Sequence, residues 1–335
     1  MIQGARIIEG RAVMKYFQKT AISLLACALF FQTHTIVHAQ DWNTAISAFR
    51  ENNYDRAIQN LELLSEQGDA IAQYSLGIIY LNGEFVPQDL SKAFGWFNMA
   101  AEEGLAQAQH NLAFMYANGQ GTLQDYAEAL RWYRMAAEQG LSAAQYNLAL
   151  MYDNGEGTPR DYVEALRWYR MAAEKGLAEA QHNLAFMYAN GQGTPQDYAE
   201  ALRWLRMAAE QGIASAQYNL ALMYYLGQGT PQDYAESLRW YRMAAEKGLA
   251  EAQHILGLMY GTGQGVLQNN ILAHMWSNIS AANGFNDAAT SRDIAAQRMT
   301  PADLSEAQRR ARICMESGDR LIYCFGFADF RSRAV

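Results

Sequence analysis

The chain of 335 residues is short of cysteine, proline and every motif that usually marks catalysis. Three cysteines in 335 residues are too few for a disulfide-stapled scaffold. Five prolines leave long stretches free to run as helix, and three of them, Pro159, Pro195 and Pro231, recur at one spacing. No Gly-Lys pair exists, so there is no P-loop. Gly-x-Ser-x-Gly, His-Glu-x-x-His and Ser-x-x-Lys are absent too, which removes the usual marks of esterases, zinc proteases and acyl-serine enzymes. Basic residues are outnumbered, 26 against 34 acidic, for a net charge of −8. That balance gives no electrostatic case for nucleic acid or an anionic lipid surface. The apolar run from Ala21 to Phe31 is too short to span a bilayer.

That run reads instead as an export signal covering residues 1–39. Lys15 and Lys19 precede it, and Val37-His38-Ala39 offers a small-residue cleavage site before Gln40. Met14 offers an alternative start. A rival reading takes Leu24-Leu25-Ala26-Cys27 as a lipoprotein box, with Cys27 lipidated and the chain held at the outer membrane. Against it, Ala28 to Phe31 stay apolar after the cysteine. Cleavage after Ala39 would place the chain in the periplasm or outside the cell. It would remove four basic residues and one acidic one, taking the net charge from −8 to −11. Cys314 and Cys324 are then expected to pair, stabilising the fold by roughly 2–3 kcal/mol in the loop-entropy picture. Two free thiols are the alternative.

What the chain does have is a repeat. Six of its seven tryptophans, Trp96, Trp132, Trp168, Trp204, Trp240 and Trp276, lie 36 residues apart. Glycines from Gly68 to Gly284 share that period, the mark of a solenoid. Between Gly104 and Gly140, Ala108, Leu112 and Met115 form one apolar helical face. Gly119 and Gly121 break that helix. Asp125 starts a second one, with Glu128 three residues on, a pair that resembles a capping box. Ala129, Tyr133 and Ala136 give the second helix its buried stripe, and Gly140 ends it with a left-handed cap. The same Asp/Glu pair recurs at 161/164, 197/200 and 233/236. The reading is an all-α solenoid of helix-turn-helix hairpins, six repeats over 68–284. A capping hairpin over 40–67 precedes them. Capping helices over 285–317 and a tail over 318–335 follow, as terminal repeats require. The repeated tryptophans read as packing, and pairs such as Glu128/Arg131 as solvated neighbours on one helix face.

The blocks Ala-Gln-x-Asn-Leu-Ala-x-Met-Tyr, Asn-Gly-x-Gly-Thr-Pro-x-Asp-Tyr and Ala-x-x-Trp-Tyr-x-x-Ala-Ala-Glu-x-Gly resemble the Sel-one-like repeat, a relative of the tetratricopeptide repeat. The likeness covers about residues 68–284. It implies a right-handed superhelix with first helices on the concave face. It also implies scaffold or adaptor roles, in bacteria often at the cell envelope. A cysteine-rich branch of that family is associated with penicillin binding and weak β-lactamase activity. Its repeats carry cysteine pairs, and the six repeats here hold none.

A second period lies inside the first. Counting from the repeat's opening glycine, position seven reads Tyr74, His110, Tyr146, His182, Tyr218, His254. Position eleven includes Phe114 and Phe186, and position eight carries Asn111, Asn147, Asn183 and Asn219. Position seven lies about 200° around the helix from the buried alanine at position five, so it is expected to face away from the hairpin core. In tetratricopeptide relatives the matching positions line a ligand groove. These residues are therefore the candidate partner-binding strip, its aromatics supplying contact area and its asparagines bonding an extended backbone. The alternative for position eleven is packing against the next hairpin. His110, His182 and His254 sit two repeats apart, roughly 20 Å at ordinary helix spacing, too far to share a metal. The expectation is an exported, non-enzymatic scaffold that binds protein or peptide partners and needs no cofactor. A cell-wall glycan binder is the alternative, with a penicillin-binding enzyme behind it.

Overall fold

The computed structural model describes residues 35–316. The expected signal segment up to residue 34, Cys27, Cys324 and the 318–335 tail lie outside the described residues. Within them the chain is entirely helical, with no strand. It is a helical solenoid in two compact units that divide between Arg160 and Asp161.

The first unit contains α1 (Thr35–Arg50), α2 (Tyr54–Glu66), α3 (Ala70–Asn82), α4 (Leu90–Glu102), α5 (Ala106–Asn118), α6 (Tyr126–Glu138) and α7 (Ser142–Asn154). The second contains α8 (Tyr162–Glu174), α9 (Ala178–Asn190), α10 (Tyr198–Glu210), α11 (Ala214–Leu226), α12 (Tyr234–Glu246), α13 (Ala250–Thr262), α14 (Asn270–Ala282), α15 (Asp287–Ala296) and α16 (Pro301–Glu316). Within each unit successive helices pack on one another in chain order, and α15 and α16 both close on α14.

Local chemistry explains the boundaries. The Asp125 carboxylate accepts from the backbone N–H groups of Ala127 and Glu128 at 2.9 and 3.0 Å, an N-cap repeated at Asp161, Asp197 and Asp233. The reciprocal half of the expected capping box is not made there. The Asp125 N–H donates to the Tyr116 carbonyl instead, at 2.9 Å, and Glu128 turns to Arg131. At α16 the box does close, Thr300 and Asp303 bonding each other both ways.

The first helices end on glycines in the left-handed region, such as Gly119 and Gly155. The second loop glycine has a different duty. A Cβ on Gly157 would overlap the Tyr126 carbonyl, and one on Gly193 that of Tyr162. Each such glycine is where a loop touches the first turn of the preceding hairpin's second helix. In the first repeat Phe85 takes that place and stacks on Tyr54, with ring centroids 4.5 Å apart.

A buried glutamine ties hairpins together. Gln109, Gln145, Gln181, Gln217 and Gln253 each donate Nε2–H to the carbonyl of Ala101, Ala137, Ala173, Ala209 or Ala245, at 3.0–3.1 Å. Each caps the end of the preceding second helix, adding a second bond to a carbonyl that already accepts from the closing glycine's N–H.

Candidate functional site

The expected strip sits on the first helices, and the structure corrects its orientation. All six position-seven residues are half-buried, and three of them turn back onto their own hairpins. Tyr74 packs on Phe97, His110 on Tyr133 and Tyr218 on Tyr241, with ring centroids 5.4–5.7 Å apart. Each partner lies on the second helix of the same hairpin. A wheel drawn from the alanine at position five misleads because the first helix is small or apolar nearly all round. Ala108, Gln109, Leu112, Ala113 and Met115 are all buried, so helices cover it on several sides.

The histidines are pinned further. His110 Nδ1 lies 3.2 Å from Asn111 Oδ1, and its Nε2 lies 3.0 Å from Asn147 Nδ2 in the next repeat. His182 repeats this with Asn183 and Asn219, at the same distances. A carboxamide oxygen accepts and its NH₂ donates, so the arrangement suits neutral imidazole with its proton on Nδ1. Burial lowers both pKa values, against a smaller upward pull from the adjoining asparagine. The ladder stops at His254. Ile255 stands where asparagine would, Nδ1 has no hydrogen-bond partner, and the ring lies against Phe285 at 4.8 Å. Asn183 also bonds the Tyr169 hydroxyl at 3.2 Å, so the position-eight asparagines are structural connectors in part.

Two of the six position-eleven residues open outward. Phe186 is 54% exposed and Leu258 40%, while Phe114 is half-buried. Leu226, about one helical turn beyond Leu222 on α11's last turn, is 51% exposed. In the second unit, α9, α11 and α13 thus each present one large apolar side chain to solvent. Cys314 is buried on α16. Among the described residues no three His, Cys, Asp or Glu side chains group as a metal site would need, and no helix is long and apolar enough to cross a membrane.

The second helices carry a repeated aromatic–guanidinium pattern. Arg131 lies over Trp132, Arg167 over Trp168, Arg203 over Trp204 and Arg239 over Trp240, with Cζ 4.1–5.0 Å from the ring centroid. Each arginine is also paired with the glutamate three residues before it. A second arginine, three residues after the first, bonds a tyrosine hydroxyl of the following first helix. These pairs are Arg134 with Tyr152, Arg170 with Tyr188, Arg206 with Tyr224 and Arg242 with Tyr260.

The Sel1 repeat model matches seven times in succession, over residues 48–69, 70–105, 106–141, 142–177, 178–213, 214–249 and 250–285. The chain belongs to the Sel1 repeat family. The first match falls on the hairpin α1–α2, and each later one begins on the opening residue of a first helix. Among solved structures, a Sel1 repeat protein from Oxalobacter formigenes is similar at 33% identity and a TM-score of 0.65. That match covers 71% of this chain and 98% of the other. A protective antigen present in uropathogenic Escherichia coli strains, which displays an SLR fold, is similar at 34% identity and a TM-score of 0.58. It is matched over 77% of this Sel1 repeat protein, which spans only 64% of the antigen's length. No curated protein matches this Sel1 repeat chain.

Proposed function

We propose that this Sel1 repeat protein is an exported, non-catalytic scaffold that binds protein or peptide partners along its first helices. The observation that carries the reading is the row Phe186, Leu226 and Leu258, exposed on alternate helices of the second unit. A central cluster of aromatic or aliphatic anchors inside a polar rim is what a protein-binding surface presents. In this reading the exposed positions make the contact. The half-buried His182, Asn183, Tyr218 and Asn219 of the same unit form the firm layer beneath it. Export is supported by the basic-then-apolar N-terminus with its Ala39 cleavage site, and by likeness to a protein named as a protective antigen.

The test is a comparison of two baits, the mature chain and its Phe186→Ala/Leu226→Ala/Leu258→Ala variant. Both are crosslinked in the native envelope and their partners identified by mass spectrometry. The partners of the mature chain should be lost from the variant, with its helical circular dichroism and melting temperature nearly unchanged. Equal capture by both would reject this face as the binding surface.

A further inference from the structure

The first repeat breaks the aromatic–guanidinium pattern at one place. It keeps the tryptophan, Trp96 on α4, and the tyrosine, Tyr80 on α3, but neither arginine. Gly95 stands where Arg131, Arg167, Arg203 and Arg239 stand in four of the other repeats, the last repeat carrying Met275 there. Glu62, on α2, stands where Arg134, Arg170, Arg206 and Arg242 stand. Both positions that hold a guanidinium elsewhere are thus emptied or reversed in charge.

The consequence is visible in the packing. Trp132, Trp168, Trp204 and Trp240 are buried to 4–5% exposure beneath their arginines, whereas Trp96 is only half-buried. A Cβ built on Gly95 meets nothing within 4 Å. An open cleft of 360 Å³ lies there, lined by Glu62, Tyr80, Lys92, Gly95, Trp96 and Met99. Lys92 replaces the glutamate of the sibling repeats. Its ammonium lies 4.9 Å from the Tyr80 ring centroid and 4.0 Å from the Asp89 carboxylate, so it serves the tyrosine. Among the described residues no cation lies over Trp96, and the Glu62 carboxylate has no hydrogen-bond or ion-pair partner.

We propose that this cleft binds an arginine side chain of a partner polypeptide, its guanidinium stacked on Trp96 and paired with Glu62. The four sibling repeats show what this tryptophan face accepts, and the partner restores the contact that Gly95 omits. A planar guanidinium suits both contacts, because it stacks on an aromatic ring and forks onto a carboxylate. The chain's net charge of −8 favours approach of a basic partner. The site lies in the first unit and does not depend on the Phe186, Leu226 and Leu258 row.

The experiment is NMR of the full mature chain, following the indole Nε1–H signal that Trp96→Phe removes. N-acetyl-arginine amide is titrated at millimolar concentration, with N-acetyl-citrulline amide as the neutral isostere. The arginine probe should move the Trp96 signal saturably and the citrulline probe should not. Glu62→Gln should weaken binding about tenfold, the size of one lost charge-assisted contact. Gly95→Arg should abolish it by refilling the site from within. Gly95→Ala should keep it, which separates filling from simple helix stabilisation. Equal shifts with citrulline, or undiminished binding by Gly95→Arg, would overturn the proposal. So would a response to N-acetyl-glutamate amide or a cell-wall disaccharide in place of arginine.

Discussion

Asn147 reaches back 37 residues to His110, its amide nitrogen 3.0 Å from the imidazole Nε2, and so joins consecutive first helices of the first unit. Asn219 does the same to His182 in the second. The alternation of tyrosine and histidine at position seven is therefore a fastening between repeats. Each histidine is held on one side by its own asparagine and on the other by its neighbour's.

Removing the fastening should cost stability in proportion to the orphaned group. Asn147→Leu and Asn219→Leu each strip a buried imidazole nitrogen of its donor, at about 1–3 kcal/mol. Urea unfolding of each variant should show the midpoint falling. Unchanged midpoints would mean that the bridge contributes nothing in solution.

Acid should loosen the same joints. Burial holds His110 and His182 below the ordinary value of 6.5, so the unfolded chain takes up protons first as pH falls. Their contribution is complete above about pH 6.5 and is lost as pH falls from there through the folded values. His254 and His274 are also lowered by burial and act in the same direction. The melting temperature should therefore drop as pH is taken below about 6.5. The drop should be smaller, though not absent, in His110→Gln/His182→Gln. An equal drop in that variant would refute the assignment.

Two glycines of the second unit should respond differently to the same change. Gly176 has a φ of +90° and open space around its Cβ position, so Gly176→Ala should cost only the conformational penalty, roughly 1–2 kcal/mol. Gly193, with a φ of +68°, also abuts the Tyr162 carbonyl. Gly193→Ala should cost clearly more, because loop and helix must separate. Thermal denaturation of the pair decides it, and equal losses would mean the approach is not close.

Processing and the cysteines can be read in one mass spectrum. Protein recovered after export should begin at Gln40. Its two remaining cysteines, Cys314 and Cys324, should resist alkylation until reduced. A chain beginning at a lipid-bearing Cys27 would establish the lipoprotein route instead. Alkylation without reduction would establish two free thiols.

The repeat period and hairpin plan were legible because they rest on local chemistry. An aspartate caps a helix, a glycine ends one, and alanine, leucine and methionine recur on one stripe, all within 36 residues. The Gly-x-Gly loops were legible as turns, but the reason for the second glycine was not. It lies in a carbonyl on the preceding hairpin, more than 30 residues away. The periodic Gln109, Gln145, Gln181, Gln217 and Gln253 were visible as a repeat. Their role needed the position of the preceding helix end.

By itself the sequence determined an all-helical array, its register and the places where one repeat departs from the next. Gly95, Glu62, Phe85 and Ile255 could all be found by alignment against their siblings. Only the tertiary structure decided which faces are covered. Position seven points away from the alanine beside it, yet the second helix and the following repeat close over it. Periodicity along one helix reports one buried stripe, whereas a solenoid helix is buried by neighbours on several sides. The same physics exposes Phe186 and Leu258, and leaves Trp96 open where an arginine was replaced by glycine.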